Sequence, residues 1–230
     1  MIGIPVEQLP APARDFGARP LVLGYAGRLE RAQKRLDRLE PFLDALARRG
    51  VECRFEVLGE GSYGATLRRR LGGRVKFHGW LPREAMIRVL GGWHGAVYFS
   101  DHEAGPIALL EAMSAGAIPF YPAHGGSWGD IHAPRVDARC HYPAGDVVAA
   151  AAAVAEVFAW PAPELQQLSA RARALVQAHA PAQHVAATAE FLARIAGLPP
   201  VARQPRPRRR WADALPLGFV TRFAPRLLRG

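Results

Sequence analysis

Two cations and two carboxylates stand out where apolar runs of this sequence give way to polar loops. Arg28 and Lys34 lie in Gly24-Tyr25-Ala26-Gly27-Arg28-Leu29-Glu30-Arg31-Ala32-Gln33-Lys34. Glycine lets backbone approach a ligand closely, and two cations just past a strand can neutralise a diphosphate. The same residues also suit a turn with a solvated arginine. Glu103 and Glu111, with seven residues between them, lie in Ser100-Asp101-His102-Glu103-Ala104-Gly105-Pro106-Ile107-Ala108-Leu109-Leu110-Glu111-Ala112-Met113. Pro106 fits the first turn of a helix, and the free amides and dipole at that point favour a bound anion. Glu111 falls in the second turn among apolar residues. A carboxylate so placed needs donors, which either a ribose diol or a neighbouring arginine supplies. Asp101-His102-Glu103 is a poor metal cluster, being one short loop without a second ligand group. His102 as a general base competes with a structural or merely exposed histidine.

The elements that must position these residues repeat. Leu21 to Tyr25 is a short apolar run, followed by Leu36, Leu39, Leu43 and Leu46 at helical spacing until Gly50. Strand and helix then alternate: Cys53 to Leu58, Tyr63 to Leu71, Val75 to His78, Arg83 to Leu90, Gly95 to Phe99, Ile107 to Ala115, Ile118 to Tyr121. Such alternation predicts an α/β fold, a single Rossmann-like parallel sheet flanked by helices, with ligands at the carboxyl ends of its strands. A glycine-rich loop follows from His124 to Asp130, then a short strand near Arg139 to Tyr142 and three alanine-rich helices at about 146–159, 162–179 and 183–196. Residues 1–19 carry three prolines, with Pro20 directly after, and no periodic pattern and read as an arm. Residues 198–230 read as a Pro/Arg-rich, flexible tail, leaving 20–197 as the folded unit.

Composition narrows the function classes. With 230 residues, half of them hydrophobic, the chain suits one sizeable core. The net charge of +10 is almost wholly arginine, since Lys34 and Lys76 are the only lysines, and part of it is concentrated in Arg203 to Arg210. Arginine suits phosphate recognition, but no basic-aromatic motif accompanies it, which argues against nucleic acid. Cys53 and Cys140 are too few and too distant for a disulfide framework or zinc knuckle. No signal peptide follows Met1, and the longest apolar run, Val147 to Trp160, falls short of the roughly 20 residues a spanning helix needs. The expectation is a cytoplasmic protein, at most at the inner face of the cytoplasmic membrane.

Taken together, these segments resemble the carboxyl-terminal, donor-binding domain of GT-B glycosyltransferases, in particular the retaining enzymes of glycosyltransferase family 4. The resemblance rests on Gly27-Arg28-Leu29 with Gln33-Lys34 and Asp37, on Val57 to Tyr63, on Val75 to Leu81, on Glu103 with Leu110-Glu111-Ala112-Met113, on Gly116 to Pro119 and on Gly125-Gly126. It spans about residues 21–130. It implies that Arg28 and Lys34 bind the donor diphosphate and stabilise the leaving nucleotide, that Glu103 sits beside the donor sugar, and that Glu111 holds the ribose. It implies further that Gly27 belongs to the donor loop, that Gly79, Trp80 and Leu81 border the base, and that the amides of Ala104 and Gly105 contact phosphate or sugar. The implied substrate is a UDP- or GDP-linked sugar, and no metal or other cofactor is expected.

The sequence departs from the family pattern at Phe99-Ser100, where many members have Pro-Ser, and at Glu103-Ala104-Gly105-Pro106, where Ala104 adds a methyl facing the sugar. A whole GT-B enzyme has a second Rossmann-like domain that binds the acceptor, and this chain starts close to the donor half. The resemblance therefore leaves three readings. One is a hexosyltransferase of cell-envelope polysaccharide or glycolipid synthesis whose acceptor domain is a separate chain; the others are a non-catalytic nucleotide-sugar-binding subunit and a truncated fragment. A sugar-nucleotide epimerase of the same fold would also need the other half. The apolar face of the last helix, with Val185, Phe191 and Ile195, is a candidate surface for that partner. The tail, Arg206 to Arg210 followed by Trp211, Leu215, Phe219 and Phe223, suits peripheral contact with anionic lipid or a disordered extension.

Overall fold

The computed structural model describes residues 14–103, 105–177 and 181–197. The proposed tail, most of the proposed arm and Ala104 lie outside the described residues. The chain divides into two units, Met1–Ala189 and Glu190–Gly230. In the second, the described residues continue a helix that begins at Pro181.

The first unit holds six parallel strands in the order β3-β2-β1-β4-β5-β6. They are β1 Leu21–Ala26, β2 Cys53–Leu58, β3 Val75–Gly79, β4 Gly95–Val97, β5 Ile118–Ala123 and β6 His141–Pro143. The helices are α1 Leu39–Arg48, α2 Gly64–Leu71, α3 Arg83–Gly91, α4 Ile107–Ser114, α5 Trp128–Val136, α6 Val147–Phe158, α7 Ala162–Gln177 and α8 Pro181–Ala196. The strand order reverses between β1 and β4, the point at which a doubly wound sheet opens a crevice beyond its carboxyl edge.

The order follows from burial. All six residues of β1 are buried, as expected of a central strand covered on both faces. It pairs in register with β2 from Leu21↔Cys53 to Ala26↔Leu58, and with β4 at Leu23↔Gly95. At Gly24 a Cβ would stand 2.1 Å from the Trp93 ring, so the missing side chain is what lets that fully buried indole lie against β1. The Trp93 Nε1–H donates to Glu56, a buried carboxylate also bonded to His78. On the helical layers α1 packs on α6 and α4 on α7. The alanine-rich α6 is started by Asp146, whose carboxylate accepts from the amides of Val148 and Ala149. Among the described residues no single helix is long and apolar enough to cross a membrane.

Residues just before β1 are tied into this body. Phe16 is buried, and Arg14 donates to the carbonyls of Gly91, Ala115 and Gly116 at 2.8, 2.9 and 2.6 Å. One guanidinium thus satisfies the orphan carbonyls that end both α3 and α4. Its burial, with Arg173 nearby, lowers its pKa to about 10.

Three local expectations are corrected. The helix expected from the leucine spacing after Arg31 begins only at Leu39, preceded by a single 3-10 turn, Leu36–Arg38, because Arg35 takes a left-handed conformation, φ 52°. The strand expected to run to Phe99 ends at Val97, since the Phe99 carbonyl accepts from the Arg38 guanidinium at 2.7 Å. The glycine-rich loop is shorter than expected and passes into α5. Ser127 and Asp130 form a capping box there that outweighs Gly129 and Pro134.

Candidate functional site

The loops leaving β1, β2 and β3 are bonded to one another along their backbones. The Gly27 N–H donates to Leu58 at 3.0 Å, Leu29 to Glu60 at 2.9 Å and Gly59 to Gly79 at 2.8 Å. Glycine is required at the tightest of these contacts: Gly59 has φ 117°, and a Cβ there would lie 2.1 Å from the Gly27 carbonyl oxygen. Together the loops wall a cleft of about 370 Å³ that gathers Gly27, Arg28, Gly79, Trp80 and Leu81, five residues singled out from the sequence. It lies at the carboxyl edge of the sheet, where the topology puts a ligand.

Arg28 is exposed and steered at both ends. Its guanidinium donates to Glu30 at 2.7 Å and Gln33 at 3.2 Å, and its carbonyl accepts from the Tyr25 hydroxyl at 3.0 Å. Five N–H donors leave it further capacity for an anion. Gln33 stitches this loop to the one after β4: its side chain donates to the His102 carbonyl at 3.1 Å, and its carbonyl accepts from the Asp101 amide at 3.0 Å. Beside that seam Lys34 Nζ meets Glu103 Oε1 at 2.5 Å, with side chains only 15% and 5% exposed. Two residues given separate roles from sequence are therefore one ion pair across the seam.

Asp101 clamps the same seam. Its oxygens accept from Arg35 at 2.6 Å and Arg38 at 2.5 Å. Burial would raise its pKa, but those two hydrogen bonds outweigh burial and hold it below the usual carboxylate range. Among the described residues no group of three or more His, Cys, Asp and Glu side chains is arranged to hold a metal.

Glu111 projects from α4 with the Arg83 guanidinium 3.8 Å away. Burial raises its pKa, and Arg83 offsets this only in part. Both expected features are thus present, a partly buried carboxylate and a neighbouring arginine. Gly105 is exposed, and Pro106 sits just outside α4 rather than in its first turn. Lys34, Glu103, Gly105 and Glu111 do not line the cleft itself. The sequence reading gave no site role to six residues that do, Ala26, Leu58, Gly59, Glu60, Met86 and Ala108. It also missed the frame of Gln33, Arg35, Arg38 and Asp101. Gly59-Glu60-Gly61 at the end of an apolar strand repeats the glycine-flanked charge of Gly27-Arg28 and was the available signal for Glu60. The frame left none, because its partners are more than 60 residues apart.

A family model described as glycosyl transferases group 1 matches residues 20–159. A search of curated protein sequences found no match. Among solved structures, a variant of S. aureus TarM in complex with Fondaparinux, alpha-GlcNAc-glycerol and UDP aligns with TM-score 0.66 and 15% identity, over 82% of this chain and 37% of that one. Anabaena HepE in complex with UDP-glucose aligns with TM-score 0.63 and 18% identity, over 85% of this chain and 56% of that one. The catalytic domain of cholesterol-alpha-glucosyltransferase from Helicobacter pylori aligns with TM-score 0.60 and 19% identity, over 69% of this chain and 98% of that one. At these identities the likeness shows the fold: the six-stranded sheet corresponds to one Rossmann-like half of a GT-B fold. The chain spans about a third to a half of the length of the TarM and HepE chains.

Proposed function

This chain belongs to the group 1 glycosyl transferases, and we propose from that premise that its cleft binds a nucleoside diphosphate sugar and that the domain is the donor half of a retaining hexosyltransferase. The observation that carries this reading is the cleft at the carboxyl ends of β1 to β3, with Arg28 on its wall and the Lys34–Glu103 pair on the adjoining seam. The presence of UDP or UDP-glucose in structures of the same fold supports it.

In this reading Arg28 directs its remaining N–H donors at the diphosphate. Lys34 has three N–H donors, so it can keep Glu103 and still donate to a phosphate oxygen. As the bond from the anomeric carbon to the diphosphate oxygen breaks, negative charge grows on the leaving nucleotide, and two cations already in place stabilise it without reorganising. Glu103 accepts from donor-sugar hydroxyls and Glu111 from the ribose diol. Because the two cations supply the neutralising charge, the reading calls for no metal. The acceptor is presented by a separate domain or chain, without which the sugar is bound but barely transferred. A role in envelope polysaccharide or glycolipid synthesis at the inner face of the cytoplasmic membrane is part of the proposal. The arginine-rich segment 203–210 supports it, as does the likeness in fold to the H. pylori cholesterol-alpha-glucosyltransferase.

Calorimetric titration with UDP and GDP in the presence of EDTA tests it. Binding in the micromolar-to-millimolar range that Arg28→Ala weakens at least tenfold supports the reading. Absence of binding to both nucleotides overturns it.

A further inference from the structure

Among the described residues lining the cleft, only Arg28 and Glu60 carry charge. Arg28 is engaged with Glu30 and Gln33. Glu60 is different: its backbone carbonyl accepts from Leu29, but among the described residues its carboxylate has no hydrogen bond and no ion pair. Its carboxylate lies over the floor of the cleft. The Oε1 atom lies 3.4 Å from where a Cβ on Gly79 would stand, and Gly79, at φ 69°, has none. Next to it the Trp80 indole is 72% exposed, and Leu81 and Met86 add apolar wall. A flat ring, an apolar wall and a lone carboxylate fit the face and edge of a nucleobase.

Charge decides which part of a nucleotide lies at this end. An unpaired carboxylate repels phosphate, so the diphosphate belongs at the Arg28 end and the base at the Glu60 end. The carboxylate then discriminates among bases, since it only accepts. Guanine offers two adjacent donors on one edge, N1–H and the 2-amino group, which match its two oxygens. Uracil offers one, N3–H, flanked by two carbonyl oxygens that repel the second carboxylate oxygen. Adenine and cytosine present one donor beside a bare ring-nitrogen acceptor. We infer that Glu60 reads the base edge and makes this a guanine-selective donor cleft, an inference that rests on the donor-site reading above.

The test is calorimetry of the full chain with GDP, IDP and UDP, on wild type and Glu60→Gln. Glu60 is exposed, and matching melting curves for the two proteins exclude a folding defect. A charged acceptor's second hydrogen bond corresponds to about tenfold in affinity. The expected order is therefore GDP tighter than UDP by about tenfold or more. IDP, which lacks the 2-amino group, falls between them. Glu60→Gln weakens GDP toward the UDP value while leaving UDP nearly unchanged. UDP bound as tightly as GDP, or a preference for GDP that persists in Glu60→Gln, overturns the assignment while leaving the donor site standing. Failure of all three nucleotides to bind overturns the donor-site reading and this inference with it.

Discussion

Replacing Asp101 by asparagine removes the charge of a residue that touches neither the cleft nor the Lys34–Glu103 pair, yet it should loosen both. Asp101 accepts from Arg35 and Arg38 at 2.6 and 2.5 Å, and those arginines bracket Leu36 and Asp37 directly after Lys34. A hydrogen bond to a charged group contributes about 1.5–3 kcal/mol when shielded. Asp101 is 39% exposed, however, so solvent screening brings each bond toward the 0.2–1 kcal/mol of surface pairs. Two such bonds give a loss of roughly 0.5–2 kcal/mol, a melting shift of roughly 1–8 °C for a chain of this size. Re-ordering a freed side chain on binding costs roughly 0.5–1.5 kcal/mol, so nucleotide affinity should fall about two- to tenfold.

The pH dependence supplies a second reading of the same variant. The two hydrogen bonds hold the folded-state pKa of Asp101 below its unfolded value. The stability this contributes is present above the unfolded value of about 3.9 and is lost as pH falls through the folded one. The gap between wild type and Asp101→Asn in urea unfolding should therefore be full at pH 7 and close progressively below about pH 4. A gap under about 0.5 kcal/mol at pH 7, within the range of ordinary surface substitutions, together with unchanged nucleotide affinity, would refute the claim that Asp101 frames the site.

Glu111→Gln should raise stability at neutral pH, because burial lifts the folded-state pKa of this carboxylate and its ionised form costs stability. Urea unfolding should show that gain vanish as pH falls below the ordinary value of 4.5, while calorimetry shows nucleotide affinity about tenfold weaker through loss of a charged acceptor. Gly59→Ala places a Cβ 2.1 Å from the Gly27 carbonyl at a left-handed φ, so denaturant unfolding should show a loss of roughly 2 kcal/mol or more, with nucleotide binding abolished. Arg14→Ala strips the carbonyls that end α3 and α4 of a shared donor, and a loss of roughly 3 kcal/mol or more is expected in the same assay, with nucleotide affinity per folded molecule unchanged.

The sheet was legible because its signals are local. Cys53–Leu58 reads as a strand from six residues alone, and Leu36, Leu39, Leu43 and Leu46 mark a buried helix face whatever surrounds them, although not where the helix begins. That boundary depended on Arg35, a residue in a conformation usually left to glycine and held there by carboxylates at positions 37 and 101. The capping box of α5 was written plainly as Ser127 and Asp130, but Gly129 and Pro134 are stronger local statements against a helix than one cap is for it.

The candidate site divides along the same line. Gly27, Arg28 and Gly79 to Leu81 sit at strand ends, so naming the strands names the cleft they line. The Lys34–Glu103 pair and the Asp101 clamp join segments more than 60 residues apart, and their pairing exists only once β1 and β4 lie side by side. Charge type at these positions is visible in the sequence and partner identity is not. That is why Lys34 and Glu103 appeared as two separate functions and Asp101 as a weak metal ligand. In the folded chain Asp101 accepts from two arginines whose own backbone carries Lys34 to Glu103, so the residue read as chemically idle fixes the distance between the two read as active.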